Sequence, residues 1–355
     1  MNYRKFFFTV ISALFLCVVL IALAVYVIDP CFHYRRPAGW NSYALFSEAY
    51  QNDGIAKHFD YDAVIVGNSL AEGFKTSEAD SLFGVKSVRL TAAGSSLSEH
   101  KDYLETAFSH NHGIRMVIWC LDYERIASET GEPRDSQPEY YLYDEDCFND
   151  INYIFNKDIL VAVIKVAWKS LMGLGPDSFD TFENWLDYEE SGKAALDSCY
   201  TRSNSKTIDR TVVDGICPEN IRTNVFPVIE AHPDTVFYLY LSPYFIYYFD
   251  DLNNKGTLND KLAQERALIS ELLEFDNVRL YSFNCNEALV TGYDNYVDLS
   301  HYTSRINSYI LECMRNGEYR ITKDNMEEYC AAERDFLFNY DYDSLFGQTP
   351  DRYDE

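Results

Sequence analysis

The sequence predicts an α/β protein: a doubly wound parallel sheet of about five strands, with a helical insertion and an N-terminal transmembrane helix. Three observations lead there. Short apolar runs recur along the chain, each stopped by a turn. Helix-compatible stretches lie between them, and such alternation marks a parallel sheet covered on both faces. One long uncharged apolar run stands near the start.

That long run, Phe6 to Ile28, follows Arg4 and Lys5. As a helix it would reach roughly 34 Å at about 1.5 Å per residue, enough for a bilayer core. Basic residues before it put the N-terminus in the cytoplasm and the body outside, although Arg35 and Arg36 oppose that bias. A cleaved signal peptide is the rival, since Ala22-Leu23-Ala24 resembles a cleavage site. The run is long for a signal peptide, so residues 1–28 read as a stub and an anchor. Residues 29–60 then read as a polar stalk.

An α/β domain is expected over 61–320. The strands are read at Asp62–Val66, Ser87–Leu90, Arg115–Leu121, Thr235–Leu241 and Val278–Phe283, with helices at Ser98–His110 and Leu258–Glu274. Val64, Ile65, Val117, Ile118, Phe237 and Leu239 form the expected core. An acidic insertion at about 128–224 breaks the rhythm, with helix-like segments at Ile159–Leu171 and Phe182–Leu196. Residues 321–355 make an acidic, aromatic extension, read as a helix and an irregular wrap.

The net charge of −26 argues against nucleic acid as a partner. It also leaves membrane attachment to the apolar run. Aromatic residues make up 16% of the chain, with 29 Tyr and 23 Phe, which suits either core packing or a partly wet glycan surface. The nine cysteines show no CxxC pair and no zinc spacing, and no bridge is assigned. Cys120, inside a strand, reads as a small apolar residue. Asp144-Glu145-Asp146 lacks the ligand spacing of a calcium loop. His110 and His112 lie two apart at a helix end, where they do not share a face. No cofactor and no metal are expected.

In open parallel sheets, ligands bind beyond the carboxyl ends of the strands. The first strand ends in Gly67-Asn68-Ser69-Leu70. A serine at such a turn is exposed and close to free backbone N–H groups that can hold an oxyanion. The second strand leads to Ala93-Gly94-Ser95, where Gly94 allows close approach of backbone to substrate. Late in the chain, Asp298-Leu299-Ser300-His301 spaces a carboxylate and an imidazole for one helical turn. Each residue alone has an ordinary structural role, as a cap or a surface side chain.

Taken together, these motifs resemble the SGNH, or GDSL-like, hydrolase superfamily, over roughly 62–128 and 224–316. The N-terminal anchor is similar to that of extracytoplasmic branches such as teichoic-acid D-alanyl-transfer and alginate acetyltransferase-like proteins. The resemblance implies Ser69 as nucleophile, His301 as general base and Asp298 as its orienting acid. Backbone N–H groups of Ser69 and Gly94 would form the oxyanion hole. Asn68, Asp122, Ser95, Ser242 and Tyr244 are expected as neighbours. Asn68 stands where the family often has Asp. Asp122 stands where it usually has an Asn donor. A carboxylate there would repel the oxyanion unless protonated or turned away, and losing such a donor costs roughly 3–4 kcal/mol.

The resulting expectation is a serine-dependent esterase or acyltransferase on an acyl ester of a cell-envelope glycan or polymer. The alternative is a catalytically inactive envelope scaffold or glycan-binding protein of the same fold.

Overall fold

The computed structural model describes residues 3–39, 42–128, 139–144, 146, 148–187, 191–202 and 214–346. Each of the five strands read above forms: β1 (Ala63–Gly67), β2 (Ser87–Thr91), β3 (Met116–Leu121), β4 (Val236–Leu241) and β5 (Val278–Ser282). A sixth, β6 (Arg320–Ile321), is added to the sheet. The order is β2-β1-β3-β4-β5-β6, parallel throughout except for the antiparallel pair β5 and β6. The expectation of about five strands thus omits β6, which is too short to leave an apolar run. All positions of β1, β2 and β3 are buried. Val64 pairs with Val117, and Val117 with Phe237, in the middle of the core.

The helices follow from local chemistry. α1 (Tyr3–Ile28) is the one helix among the described residues that is long and apolar enough to cross a membrane. α2 (Glu48–His58) follows, then α3 (Thr76–Phe83), which stops at Gly84 with φ of 65°. α4 (Leu97–His110) begins with a capping box, in which Ser96 Oγ accepts from Glu99 N–H and the Glu99 carboxylate accepts from Ser96 N–H. His110 therefore ends a helix, as its sequence neighbours suggest. α5 (Tyr123–Ala127) follows β3 directly, with the Asp122 side chain as its cap.

The region expected as a stalk is packed instead. Glu48, Gln51, Asn52, Asp53, Ile55 and Ala56 of α2 are buried. Gln51 Nε2 donates to Pro30 and Ala44 carbonyls at 2.8 and 2.9 Å, and Asn52 Nδ2 donates to Thr91 O at 2.8 Å. Glu48 meets Arg89 of β2 at 3.3 Å, with both side chains buried. Side-chain hydrogen bonds rather than an apolar stripe hold this helix, so hydropathy does not reveal it.

The insertion contains α6 (Ile151–Ile154), α7 (Lys157–Leu171) and α8 (Lys193–Cys199). The helix expected at Phe182–Leu196 does not form as one element. Glu183 at φ 48° and Gly192 at φ 117° break the helical path, and a 3-10 turn at Trp185–Asp187 and the start of α8 stand in this stretch, of which 188–190 lie outside the described residues. Phe182 and Leu186 are nonetheless buried. Glu145 of the acidic triplet lies outside the described residues, as do 347–355 of the acidic extension.

α9 (Glu219–Asn224) and α10 (Phe226–Ala231) lead into β4. α11 (Ile246–Lys255) and α12 (Leu258–Leu272) link it to β5. α13 (Glu287–Val290), α14 (Ser304–Asn316), α15 (Met326–Asn339) and α16 (Asp343–Phe346) complete the chain as described. The helix expected in the extension is α15. Leu337 and Tyr342 are buried, and Glu333 accepts from Asn284 Nδ2 at 2.6 Å.

Because β1 is buried on both faces, a carboxylate in its middle would have no partner. Val64→Asp is expected to destabilise the protein by several kcal/mol. Thermal unfolding of the purified full chain checks this, and an unchanged melting temperature would contradict the core assignment.

Candidate active site

The sheet order reverses direction between β1 and β3, which opens a crevice at their carboxyl ends. Gly67 lines its floor. A Cβ there would stand 2.6 Å from Ala71 Cβ and 2.8 Å from Cys120 Cβ, so the chain passes too closely for a side chain. Asn68 Oδ1 then accepts from Leu70 N–H at 3.1 Å and starts a 3-10 turn at Ser69. Gly94, at φ 72°, takes the left-handed turn after β2. Neither Ser69 N–H nor Gly94 N–H has a hydrogen-bond partner among the described residues.

Asp298 and His301 come from a loop before α14, not from a helical turn as the spacing suggests. An isolated bridge between Tyr296 and Tyr302 closes the loop. Inside it, Asp298 Oδ1 accepts from Ser300 N–H at 2.9 Å and His301 N–H at 2.7 Å. This turn chemistry fixes the carboxylate. Its Oδ2 is then left to meet His301 Nδ1 at 2.7 Å. On the other side of the ring, His301 Nε2 lies 2.8 Å from Ser69 Oγ. The structure thus brings the three sequence-selected residues together across the fold.

The electrostatics suit that chain of contacts. Burial opposes the imidazolium, but the Asp298 hydrogen bond and charge outweigh it, with help from Asp122 and Glu72. The His301 pKa is therefore raised above the ordinary 6.5. Burial likewise opposes the Asp298 carboxylate, and its His301 contacts and backbone donors outweigh that, so its pKa is lowered. Trp185 from the insertion stands edge-on to the ring, centroids 5.2 Å apart. Its Nε1 donates to Glu72 Oε2 at 2.6 Å.

The expected neighbours divide into site and support. Asp122 is buried and turned toward its own donors. Asn68 Nδ2 donates to Oδ2 at 2.6 Å, Glu124 N–H donates to Oδ1 at 3.2 Å, and the Tyr244 hydroxyl also donates to Oδ1. Both of its oxygens are thereby engaged by donors within the protein. Ser95 lies beneath Gly94, with Oγ 2.9 Å from His100 Nε2. Ser242 is fully buried and donates to the Tyr302 hydroxyl at 3.4 Å, so it supports the histidine loop from behind.

Two residues escaped the sequence reading. His100 of α4 is fully buried, and Trp119 Nε1 donates to its Nδ1 at 3.2 Å. Burial, aided by the nearby Arg125 charge, pushes its pKa down to about 3, so it is a neutral prop under the Gly94 turn. Nothing in a histidine in the first turn of a helix signals this. Arg125 lies one turn after Asp122 on α5. Its Nη2 is 3.7 Å from where a Cβ on Gly94 would stand, and its Nε is 4.0 Å from Asp122 Oδ2. Nε is buried without a hydrogen-bond partner among the described residues. A basic residue three positions after the strand-end Asp122 was the available signal. Among the described residues, no group of His, Cys, Asp and Glu could hold a metal ion.

The raised His301 pKa depends on Asp298. In an NMR titration of the full chain, the His301 ring should titrate above 6.5. Asp298→Asn should bring it down, because burial then acts without the opposing carboxylate. An unchanged titration in that variant would contradict the account of this pair.

No family model and no curated protein matches this chain, so the chemistry of the site is read from its own geometry.

Proposed function

We propose that the protein is a membrane-anchored, extracytoplasmic serine esterase or O-acyltransferase acting on an acyl ester of a cell-envelope glycan or polymer. The observation that carries this reading is the continuous contact from Ser69 Oγ through His301 to Asp298, at 2.8 and 2.7 Å. In this mechanism His301 Nε2 takes the Ser69 proton as Oγ attacks the acyl carbonyl. Asp298 keeps Nδ1 protonated and stabilises the imidazolium. The Ser69 and Gly94 N–H groups receive the oxyanion. The Arg125 guanidinium supplies positive charge on the Gly94 side, in place of the asparagine donor that the resemblance would put at Asp122. The tetrahedral intermediate collapses, His301 gives its proton to the leaving alcohol, and an acyl group remains on Ser69. Water then completes hydrolysis, or a sugar hydroxyl completes transfer.

The anchor and the basic residues before it support an outward-facing body. Asp122 in place of an amide donor favours the second reading, an inactive scaffold or glycan-binding protein of the same fold. Turnover decides between the two.

The full-length protein should hydrolyse a small activated acyl ester. Ser69→Ala should abolish this, and Asp298→Asn should lower kcat on the order of 10⁴-fold, through loss of the correct tautomer. Arg125→Ala should lower kcat by roughly 10²–10³, the loss typical of one oxyanion donor. Activity should rise with pH as His301 loses its proton, with the midpoint above 6.5 because the pKa is raised. In cells, replacing Ser69 by Ala should change the acyl-ester content of the envelope. Equal activity of the unaltered and Ser69→Ala chains would contradict the enzymatic reading.

A further inference from the structure

α7 is apolar on two opposite faces. Ile159, Ala162, Val163 and Val166 face inward and are buried. Ile159 and Val163 join Val25 and Cys31 in a small second core that fastens the end of α1 to the insertion. The outer face carries Val161, Ile164, Trp168 and Leu171, which are 58, 69, 57 and 83% exposed. Spacings of three and four residues set them in one stripe along the helix. A second, outward apolar face on a helix calls for a further apolar neighbour, and among the described residues no other element covers this stripe.

Three features of the surroundings name the occupant. First, α7 lies beside α1. A groove of about 570 Å³ between them is lined by Leu20, Leu23, Val27, Ala167 and Leu171. Leu20 and Leu23 of α1 are themselves 54 and 53% exposed, so the outer stripe of α7 runs into the apolar surface of the membrane-span candidate. Second, α7 holds Lys157, Lys165 and Lys169 against one acid, Asp158, in a chain of net charge −26. Exposed Lys165 adjoins Ile164 in sequence, and its stem can cover apolar surface while the ammonium reaches a lipid phosphate. Third, the orientation of α7 is set by the folded body. Lys169 pairs with Asp177, and Ser170 Oγ accepts from Ser42 N–H at 3.0 Å. The outer stripe is therefore presented outward by the fold.

We propose that α7 is a second membrane element, its Val161–Leu171 stripe embedded among lipids beside α1 at the extracytoplasmic face. The body is then held against the bilayer by two contacts rather than hung from a tether. This rests on α1 as the anchor and is independent of the chemistry at Ser69.

Quenching of tryptophan emission tests it. The full-length chain is reconstituted into vesicles of phosphatidylcholine and phosphatidylglycerol, with or without bromine on the acyl chains. Brominated lipid should quench the emission, Trp168→Phe should remove most of that quenching, and Trp185→Phe should keep it. A Trp168→Phe chain quenched as strongly as the unaltered one, or no quenching in either, overturns the proposal. Oxidative cross-linking of an Ile164→Cys chain into dimers, absent from the unaltered chain, would assign the stripe to a second copy and also overturn it. A chain that fails to float with the vesicles overturns the anchor together with the proposal, whereas flotation without Trp168 quenching overturns the proposal alone.

Discussion

The parallel pairing of β1 with both β2 and β3 is the constraint on which the site depends. Gly67 sits opposite Thr91, and Val66 opposite Trp119, so the three strands end at one level. The residues that follow them, Ser69, Gly94 and Asp122, are thereby delivered to one edge. The strand order reverses there, so no crossover helix fills the space. The close approach at Gly67 lets the turn with Ser69 sit directly against β3. A slip of register would separate Ser69 N–H from Gly94 N–H and remove the crevice.

Acidic groups surround the histidine, and their arrangement decides what they do. Asp298 contacts the ring directly. Asp122 is held by Asn68 and Tyr244, and Glu72 by Trp185, so both act on His301 only through their fields. Burial pushes the Glu72 pKa up, against its Trp185 hydrogen bond and the Arg89 charge. Arg89 in turn is fully buried, donates to Phe74 O at 2.9 Å and meets Glu48 of α2. Buried ion pairs contribute little net stability, and their better-attested role is to fix one arrangement over others. Here they tie α2 and the Glu72 turn to β2, and Trp185 ties the insertion to the histidine.

Much of this was legible in the sequence. β1, β2 and β3 are buried throughout and β4 and β5 for most of their length, and β1, β3 and β4 leave continuous apolar runs that mark their positions. Ser69 was legible because it follows β1, where the topology puts ligands, and Asp298 and His301 through their three-residue spacing. The rest was hidden for physical reasons. α2 is held by Gln51, Asn52 and Glu48 rather than by apolar periodicity. β6 has two residues. Phe182–Leu196 carries helical spacing, but its backbone turns at Glu183 and Gly192. The Asp298–His301 spacing suggests a helix, and a bridged loop provides the same proximity. Asp122 could be placed at the site but not oriented, because its partners Asn68 and Tyr244 lie far apart in the chain. Arg125 and His100 act only through tertiary neighbours.

The central claim is that Ser69 is a nucleophile activated by His301. Reaction of the full-length protein with a fluorophosphonate, followed by peptide mass spectrometry, tests it most directly. Ser69 should carry the adduct, and the labelling rate should collapse in His301→Ala while the fold is retained. An absent adduct, or one on another serine, would contradict the claim.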